Sequence, residues 1–323
     1  MDLSHLASHD WTVGMFSVEE YAGGRVQVRR EDLTGLTARL SPERITRDIT
    51  PVYLPPRDEE CPFCPGRVEH ETPTFPDGGR IWCGESVTFP NLYPFASWHV
   101  VTVITRAHIV DHFSQKHLED AFMGISEALS GRGGYASINW NFLSSAGASI
   151  AHPHLQGIAD PGPTNLQGRY IRESRRYSRE HGRSYWVDLV DRESASERFL
   201  FEDDGIVWFA NPVPLGEREV RGILPGTTLA DLGASISALV RGVLRVIGCY
   251  RALGTRAFNM AIYFGRPEDA EYFSAFCSLI ARVNPNSSAR TDSAFMERLH
   301  LEPVVMTLPE HLGAVFREMG GRE

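Results

Sequence analysis

The chain has 323 residues, 42% of them apolar, and a formal net charge of −9. That length fits two modules or one large domain, and the apolar share is enough to build a core, which argues against a disordered chain. A net acidic chain is unsuited to sequence-independent nucleic-acid or membrane-surface binding, which needs a basic face, so cations for a phosphorylated ligand have to be local.

The start, "MDLSHLASHDW", has neither a cationic n-region nor an apolar stretch, and no apolar run reaches the roughly 18–20 residues of a membrane span. A cytoplasmic protein with no membrane contact is therefore expected. Five cysteines are too few for a disulfide framework. Cys61 and Cys64, in "CPFCPG", form a C-x-x-C that fits a metal site or a redox pair. As metal ligands they fill half a tetrahedral shell, and histidines would have to complete it. Cys83, Cys249 and Cys277 have apolar neighbours and read as small core residues.

"WHVVTVIT" (98–105) is a β-branched run suited to a strand, with His108 at its end. In "FSQKHLEDAFMGISEALS" (113–130), Leu118, Phe122, Ile125 and Leu129 fall on one helical face, and Gly131, Gly133 and Gly134 stop the helix. "YASINWNFLS" (135–144) and "HPHLQGIA" (152–159) read as strands. The polar stretch 160–198 holds a predicted helix. Then the order recurs. "NPVPLGEREVRGILPG" (211–226) starts like "NLYPFASWHVVTVITRAH" (91–108). A long helix follows, capped by Thr227 and striped by Leu229, Leu232, Ile236, Leu239, Val243 and Ile247. The strands "AFNMAIYF" (257–264) and "FCSLIARV" (276–283) come next. Strand–helix–strand–strand, twice over, suggests an internal duplication. Hairpin-linked strands with one long helix per half predict an α+β fold, with antiparallel sheets and helices packed on one face.

The chain has twelve histidines. His70, His112, His117, His181 and His311 have polar neighbours and read as surface; His99 opens a strand and reads as a satisfied sheet residue. The stretch "SIAHPHLQG" (149–157) is different. Residues i and i+2 of a strand point to the same side, so His154 and Gln156 can face one phosphate while His152 looks toward a metal. A histidine that attacks phosphorus must be bare at one nitrogen and held at the other. The Gln156 amide can donate to a phosphoryl oxygen but cannot protonate a leaving group, which suits a leaving group that is already a phosphate. Ser149 can donate to the phosphate, and Gly147 would let backbone approach closely.

Asn141, Gly147, Ser149, His152, Pro153, His154 and Gln156 match N-x5-G-x-S-x-x-H-P-H-x-Q without a gap. By them the chain resembles the galactose-1-phosphate uridylyltransferase family, the transferase branch of the histidine-triad superfamily. The C-x-x-C, "NLYP" at 91–94 and His108 follow the family's order. "SPERITR" places Arg44 and Arg47 at its S-P-x-R-x-x-R, and "FME" places Glu297 at the glutamate used on the sugar. The resemblance spans roughly residues 40–320, is densest at 141–156, and thins beyond 200.

The resemblance implies two histidine-triad-like halves, residues 1–160 and 199–323, joined by a helical linker at 161–198. It implies one structural zinc per chain on Cys61, Cys64, His108 and His152. His154 would become nucleotidylated, with Gln156 and Ser149 on the phosphoryl oxygens. Arg44 and Arg47 would hold the diphosphate, with Asn91, Asn141, Gly147 and Glu297 also at the substrate. The implied reaction is ping-pong transfer of a nucleoside monophosphate between sugar 1-phosphates by a homodimer. A phosphorylase, in which inorganic phosphate attacks the nucleotidyl-histidine of a nucleotide-sugar or dinucleoside polyphosphate, is the alternative. The partners expected are a nucleotide-sugar and a sugar phosphate, with no nucleic acid. The C-terminal half lacks the family's H-x-H; Arg282 stands in that slot, so a second metal is not expected, and the base and sugar stay open.

Overall fold

The computed structural model describes residues 15–21, 25–42, 61–283 and 292–320. In chain order the strands and helices are β1 (Phe16–Tyr21), β2 (Val26–Glu31), β3 (Thr37–Leu40), α1 (Val68–Glu71), β4 (Ile81–Cys83), β5 (Ser86–Pro90), β6 (Trp98–Val103), α2 (Gln115–Leu129), β7 (Tyr135–Phe142), β8 (His154–Asp160), α3 (Asn165–His181), α4 (Tyr185–Ser194), β9 (Phe199–Asp203), β10 (Ile206–Ala210), β11 (Val220–Ile223), α5 (Ile236–Ala252), β12 (Phe258–Tyr263), β13 (Phe276–Ala281), β14 (Val304–Val305) and α6 (Pro309–Gly320). The architecture is α+β, as expected. One sheet of ten strands runs in the order β4-β5-β6-β8-β7-β12-β13-β11-β10-β9, and its neighbouring strands pair antiparallel. Read inward from either edge the order is the same: a hairpin, a third strand, then a fifth strand preceding the fourth at the middle. Helix α2 leads out of the third strand on one side, and α5 does so on the other. The two sets meet where β7 pairs with β12, Asn141 opposite Asn259.

Strand alternation decides which face is dry. Ile138, Trp140 and Phe142 of β7, Leu155 of β8, and Met260 and Leu279 across the junction point toward α2 and α5. They pack there on Leu118, Phe122, Ile125, Leu239, Val243 and Val246 in one core. Gly157 sits where α2 comes closest: a Cβ there would lie 2.9 Å from Val100 and 3.0 Å from Ile125 and Leu129. The opposite face is covered in two pieces. Over the C-terminal strands lie α3, α4 and a four-stranded sheet, β1-β2-β3-β14; Leu40, Tyr170, Trp186, Phe209 and Phe276 fill that second core. Over β5 and β6 the segment from Cys61 to Val68 packs Phe63 and Val68 on Val87, Phe89, Val101 and Val103. Gln156 and Asn139, beyond that cover, stay half-buried.

Two elements differ from their sequence signals. The long helix begins as a 3-10 segment, Leu229–Ser235, before α5, and its cap is Thr228, in a capping box with Asp231, rather than Thr227. The 160–198 stretch holds two helices, α3 and α4, where periodicity indicated one. The helical run Leu229–Ala252 is long and apolar enough to cross a membrane. Val243 and Ile247 in it are core residues packed against the sheet, which accounts for the composition.

Candidate active site and metal centre

The C-x-x-C forms a tight turn: the Cys64 N–H donates to the Cys61 carbonyl, and the Phe63 N–H donates to the Cys61 sulfur at 3.4 Å. His108 follows the end of β6, and His152 immediately precedes Pro153 and β8. The ligand atoms of Cys61, Cys64, His108 and His152 all lie within 4.8 Å of one another. The Cys64 sulfur is 3.4 Å from His108 Nδ1 and 3.7 Å from His152 Nδ1, and the Cys61 sulfur is 3.8 Å from His152 Nδ1. With metal–sulfur and metal–nitrogen bonds of about 2.3 and 2.0–2.1 Å, the S···N edge of a tetrahedron is about 3.6 Å. The four residues therefore fit one tetrahedral ion, and they could hold a metal. His152 Nε2 donates to the Thr105 carbonyl at 2.7 Å, which leaves Nδ1 bare on the side of the sulfurs. Burial pushes the His152 pKa down to about 4, so the ring is a neutral ligand at neutral pH.

Strand β8 begins at His154, so His152 is not on it; Pro153 separates the two roles, its carbonyl accepting from the Ile104 N–H at 3.0 Å. His154 Nδ1 lies 2.8 Å from the His152 carbonyl oxygen, which can only accept. The proton is thus fixed on Nδ1, and Nε2 is left bare. Burial lowers the His154 pKa, and the edge of the ring packs on Phe63 at 5.3 Å between centroids. A neutral imidazole with one nitrogen held and the other free is the form that can attack an electrophile.

Gln156 follows two residues on, on the same face. Its Oε1 is 2.9 Å from Nε2 of His99, and Asn139 donates to its backbone carbonyl at 3.3 Å. Asn91, a candidate from the sequence, also reaches this ring: its Nδ2 is 3.1 Å from His99 Nε2, and its backbone N–H donates to the His99 carbonyl. His99 is 4% exposed, beside the site. Sequence reading missed it because its partner lies across the β6–β8 pairing, where His99 opposes Ile158 and Gln156 is the diagonal neighbour.

Gly147 ends the turn Ser144–Ala146 at φ +87°, a conformation that favours glycine, and Ser149 beyond it is exposed. Asn141 accepts from Asn259 Nδ2 at 2.6 Å, and the same Asn259 group donates to the Ala146 carbonyl of that turn at 2.8 Å. Arg282 donates to Asn259 Oδ1 at 2.7 Å and pairs with Asp292 at 2.5 Å. Glu297 accepts from the Ala294 and Val304 backbone N–H groups at 2.8 and 3.1 Å. Arg282, Asn259 and Glu297 line a cavity of ≈ 350 Å³ that His154 does not line. The structure so brings together Asn91, His154 and Gln156, and sets Arg282 and Glu297 apart, with Arg282 joined to the 144–147 turn through Asn259. Arg44 and Arg47 lie outside the described residues.

No protein-family model matches the sequence. An uncharacterized protein of Archaeoglobus fulgidus is 27% identical over 311 residues, covering 91% of this chain and 92% of its own length. Among solved structures, the fold is similar to that of an ADP-glucose phosphorylase from Arabidopsis thaliana with bound ADP-glucose, at a TM-score of 0.72 and 17% identity, covering 91% of this chain and 99% of that one. It is also similar to a uridylyltransferase mutant, at 0.69 and 18%, covering 91% and 98%. These likenesses place the fold with the galactose-1-phosphate uridylyltransferase-like proteins, as the sequence resemblance implied.

Proposed function

We propose that this chain is a nucleotidyltransferase working through a covalent nucleotidyl-histidine at His154. The observation that carries the reading is the His154 ring: neutral, held at Nδ1 by the His152 carbonyl, and bare at Nε2. Nε2 attacks the α-phosphorus of a nucleotide-sugar, the bond to the bridging oxygen breaks, and sugar 1-phosphate leaves as an anion that needs no proton. The Nδ1–H bond offsets the positive charge the ring gains. A phosphate oxygen of a second substrate then attacks the same phosphorus; the new P–O bond forms as the P–N bond breaks, and the electron pair returns to Nε2, restoring His154. Gln156 and Ser149 serve the phosphoryl oxygens, and Arg44 and Arg47 the diphosphate. Asn91, Asn141 and Gly147 shape the site around them. Zinc is the ion proposed for Cys61, Cys64, His108 and His152, in a structural role: two thiolates and two imidazoles in a closed tetrahedral set are its preferred shell.

The division into halves at residues 1–160 and 199–323 is supported by the repeated strand order for 81–160 and 199–281, while β3 pairs with β14 across it. A homodimer fits the exposed Phe295, Leu299 and Leu301 beside Glu297. The second reading is a phosphorylase, with inorganic phosphate as acceptor. It is favoured by Glu297, the residue that the resemblance puts on the sugar, because both of its carboxylate oxygens already accept from the Ala294 and Val304 backbone N–H groups. The similar phosphorylase holds ADP-glucose, so ADP-glucose is the first substrate to try.

Intact-mass measurement after mixing the protein with ADP-glucose, UDP-glucose and other nucleotide-sugars tests both. A nucleoside monophosphate adduct that maps to His154 is expected. Discharge by sugar 1-phosphate or by inorganic phosphate separates the two readings. No adduct with any donor would end both.

A further inference from the structure

Nε2 of His99 faces two groups of opposite kind, the Gln156 oxygen at 2.9 Å and the Asn91 amide nitrogen at 3.1 Å. One ring nitrogen cannot serve both. Protonated, it donates to Gln156; bare, it accepts from Asn91. The other nitrogen breaks the tie: Nδ1 lies 3.5 Å from the Phe95 backbone N–H, which can only donate. Nδ1 is therefore the acceptor, and the proton sits on Nε2.

We propose that His99 is a positioning residue that sets the direction of the Gln156 amide, and that the 91–95 loop sets the tautomer of His99. With Nε2–H against the Gln156 oxygen, the carboxamide presents its NH2 end on its free side. In the opposite tautomer the amide would turn, and its oxygen would face the anion that the proposed reaction places there. The loop is built to control the ring. The Asn91 N–H binds the His99 carbonyl, Asn91 Oδ1 accepts from the Tyr93 N–H at 2.9 Å, and the Phe95 ring stands 4.2 Å from the imidazole.

The inference deepens the reading of His154 as nucleotidyl acceptor, and its test has two arms. Two-bond ¹H–¹⁵N correlation spectra of ¹⁵N-histidine-labelled protein, assigned with His99→Gln, report the tautomer directly. Nε2–H is expected for His99, and Nδ1–H overturns the proposal whether or not the protein is active. The second arm is kinetic. His99→Leu should slow adduct formation about 10- to 100-fold, the range that misplacing a reacting-site group costs, with KM moving less than about threefold and metal content unchanged. His99→Gln, whose amide can donate from nearly the place of Nε2, should recover most of that rate. In a Gln156→Ala background, His99→Leu should have no further effect. Additive losses, or equal losses for Leu and Gln, overturn it. An inactive wild-type protein would sink the reading of the reaction but leave the tautomer decisive.

Discussion

The Nδ1–H of His154 donates to the backbone carbonyl of His152, 2.8 Å away, while the His152 side chain belongs to the Cys/His cluster that could hold a metal. One residue would thus serve a metal with its ring and the proposed nucleophile with its backbone. The ion would not touch the reacting atoms; it would fix the chain segment whose carbonyl sets the His154 tautomer. His154→Ala should accordingly keep bound metal and melting temperature but form no adduct, with turnover down by about 10³-fold or more. His152→Ala should lose metal and stability first, and activity as a consequence. Metal analysis, thermal melting and intact mass on the two variants check this. Near-normal turnover in His154→Ala would remove the nucleophile.

Metal removal is the second expectation. A structural zinc contributes its binding energy to folding. Cys61→Ala, or chelation of the wild type, should cost about 4 kcal/mol or more in unfolding free energy. The loss should centre on Phe63, Phe89 and Val101, the small core that the Cys61–Val68 segment closes. Chemical denaturation with and without chelator measures it; an active, metal-free wild type would contradict it.

The candidate stretch was legible because its partners are near in sequence. Gly147 closes the 144–146 turn and His154 and Gln156 share β8, so spacing carries that part of the geometry, whereas Ser149 and His152 lie between turn and strand. The inner strands of the large sheet and the helices α2 and α5 were legible too, since Ile138–Trp140–Phe142 alternate and Leu118–Phe122–Ile125–Leu129 repeat at helical spacing; the edge hairpins β4–β5 and β9–β10 were not assigned. Nor was the β1–β2–β3 sheet. Its strands "FSVEEY" and "VQVRRE" carry charges where an apolar alternation would be the signal, yet Arg29 is fully buried and Glu31 is 4% exposed. Arg29 is neutralised by Glu310, and Glu31 by Arg221 and the Tyr170 hydroxyl, partners far off in sequence. His99 escaped for the same reason, its partner being 57 residues away.

That buried pair gives a pH prediction. Burial pushes the Glu310 carboxyl up, but Arg29 at 3.0 Å and Arg198 at 3.1 Å outweigh it, and its pKa ends below the ordinary value. A carboxyl depressed in the folded state adds stability that is full above the unfolded pKa and lost as pH falls through the folded one. Glu310→Gln should therefore cost about 3–5 kcal/mol at neutral pH, since it leaves Arg29 without its buried counter-charge. The gap to wild type should narrow below about pH 4. Urea titrations of both proteins from pH 7 to 3 measure the gap; a pH-independent difference would show that packing, not charge, holds the site.

Gly157 offers a test of the scaffold alone. A methyl group there meets Val100, Ile125 and Leu129 at 2.9–3.0 Å, so α2 has to move off β8. Gly157→Ala should destabilise by about 1–3 kcal/mol, the usual cost of overpacking. Metal content should not change, because no ligand lies on that face. Unchanged stability would mean that the helix is less closely seated than the contacts imply.

Gln156→His separates transfer from hydrolysis. An amide beside the proposed phosphoramidate could not give up a proton, so the P–N bond would wait for the second substrate. An imidazole at 156 would stand beside His99 Nε2, which is 2.9 Å from the present oxygen and would hold it as it holds the amide. Its outer nitrogen, when protonated, can pass a proton to the reaction centre, and protonation at nitrogen makes the P–N bond labile to water. The variant should transfer more slowly, and its isolated adduct should decay faster than that of wild type, because the inner nitrogen accepts from His99 and the outer one carries the proton. Following adduct mass over time, with and without phosphate acceptor, gives both rates. An adduct that outlives the wild-type one would mean that residue 156 does not approach the phosphorus.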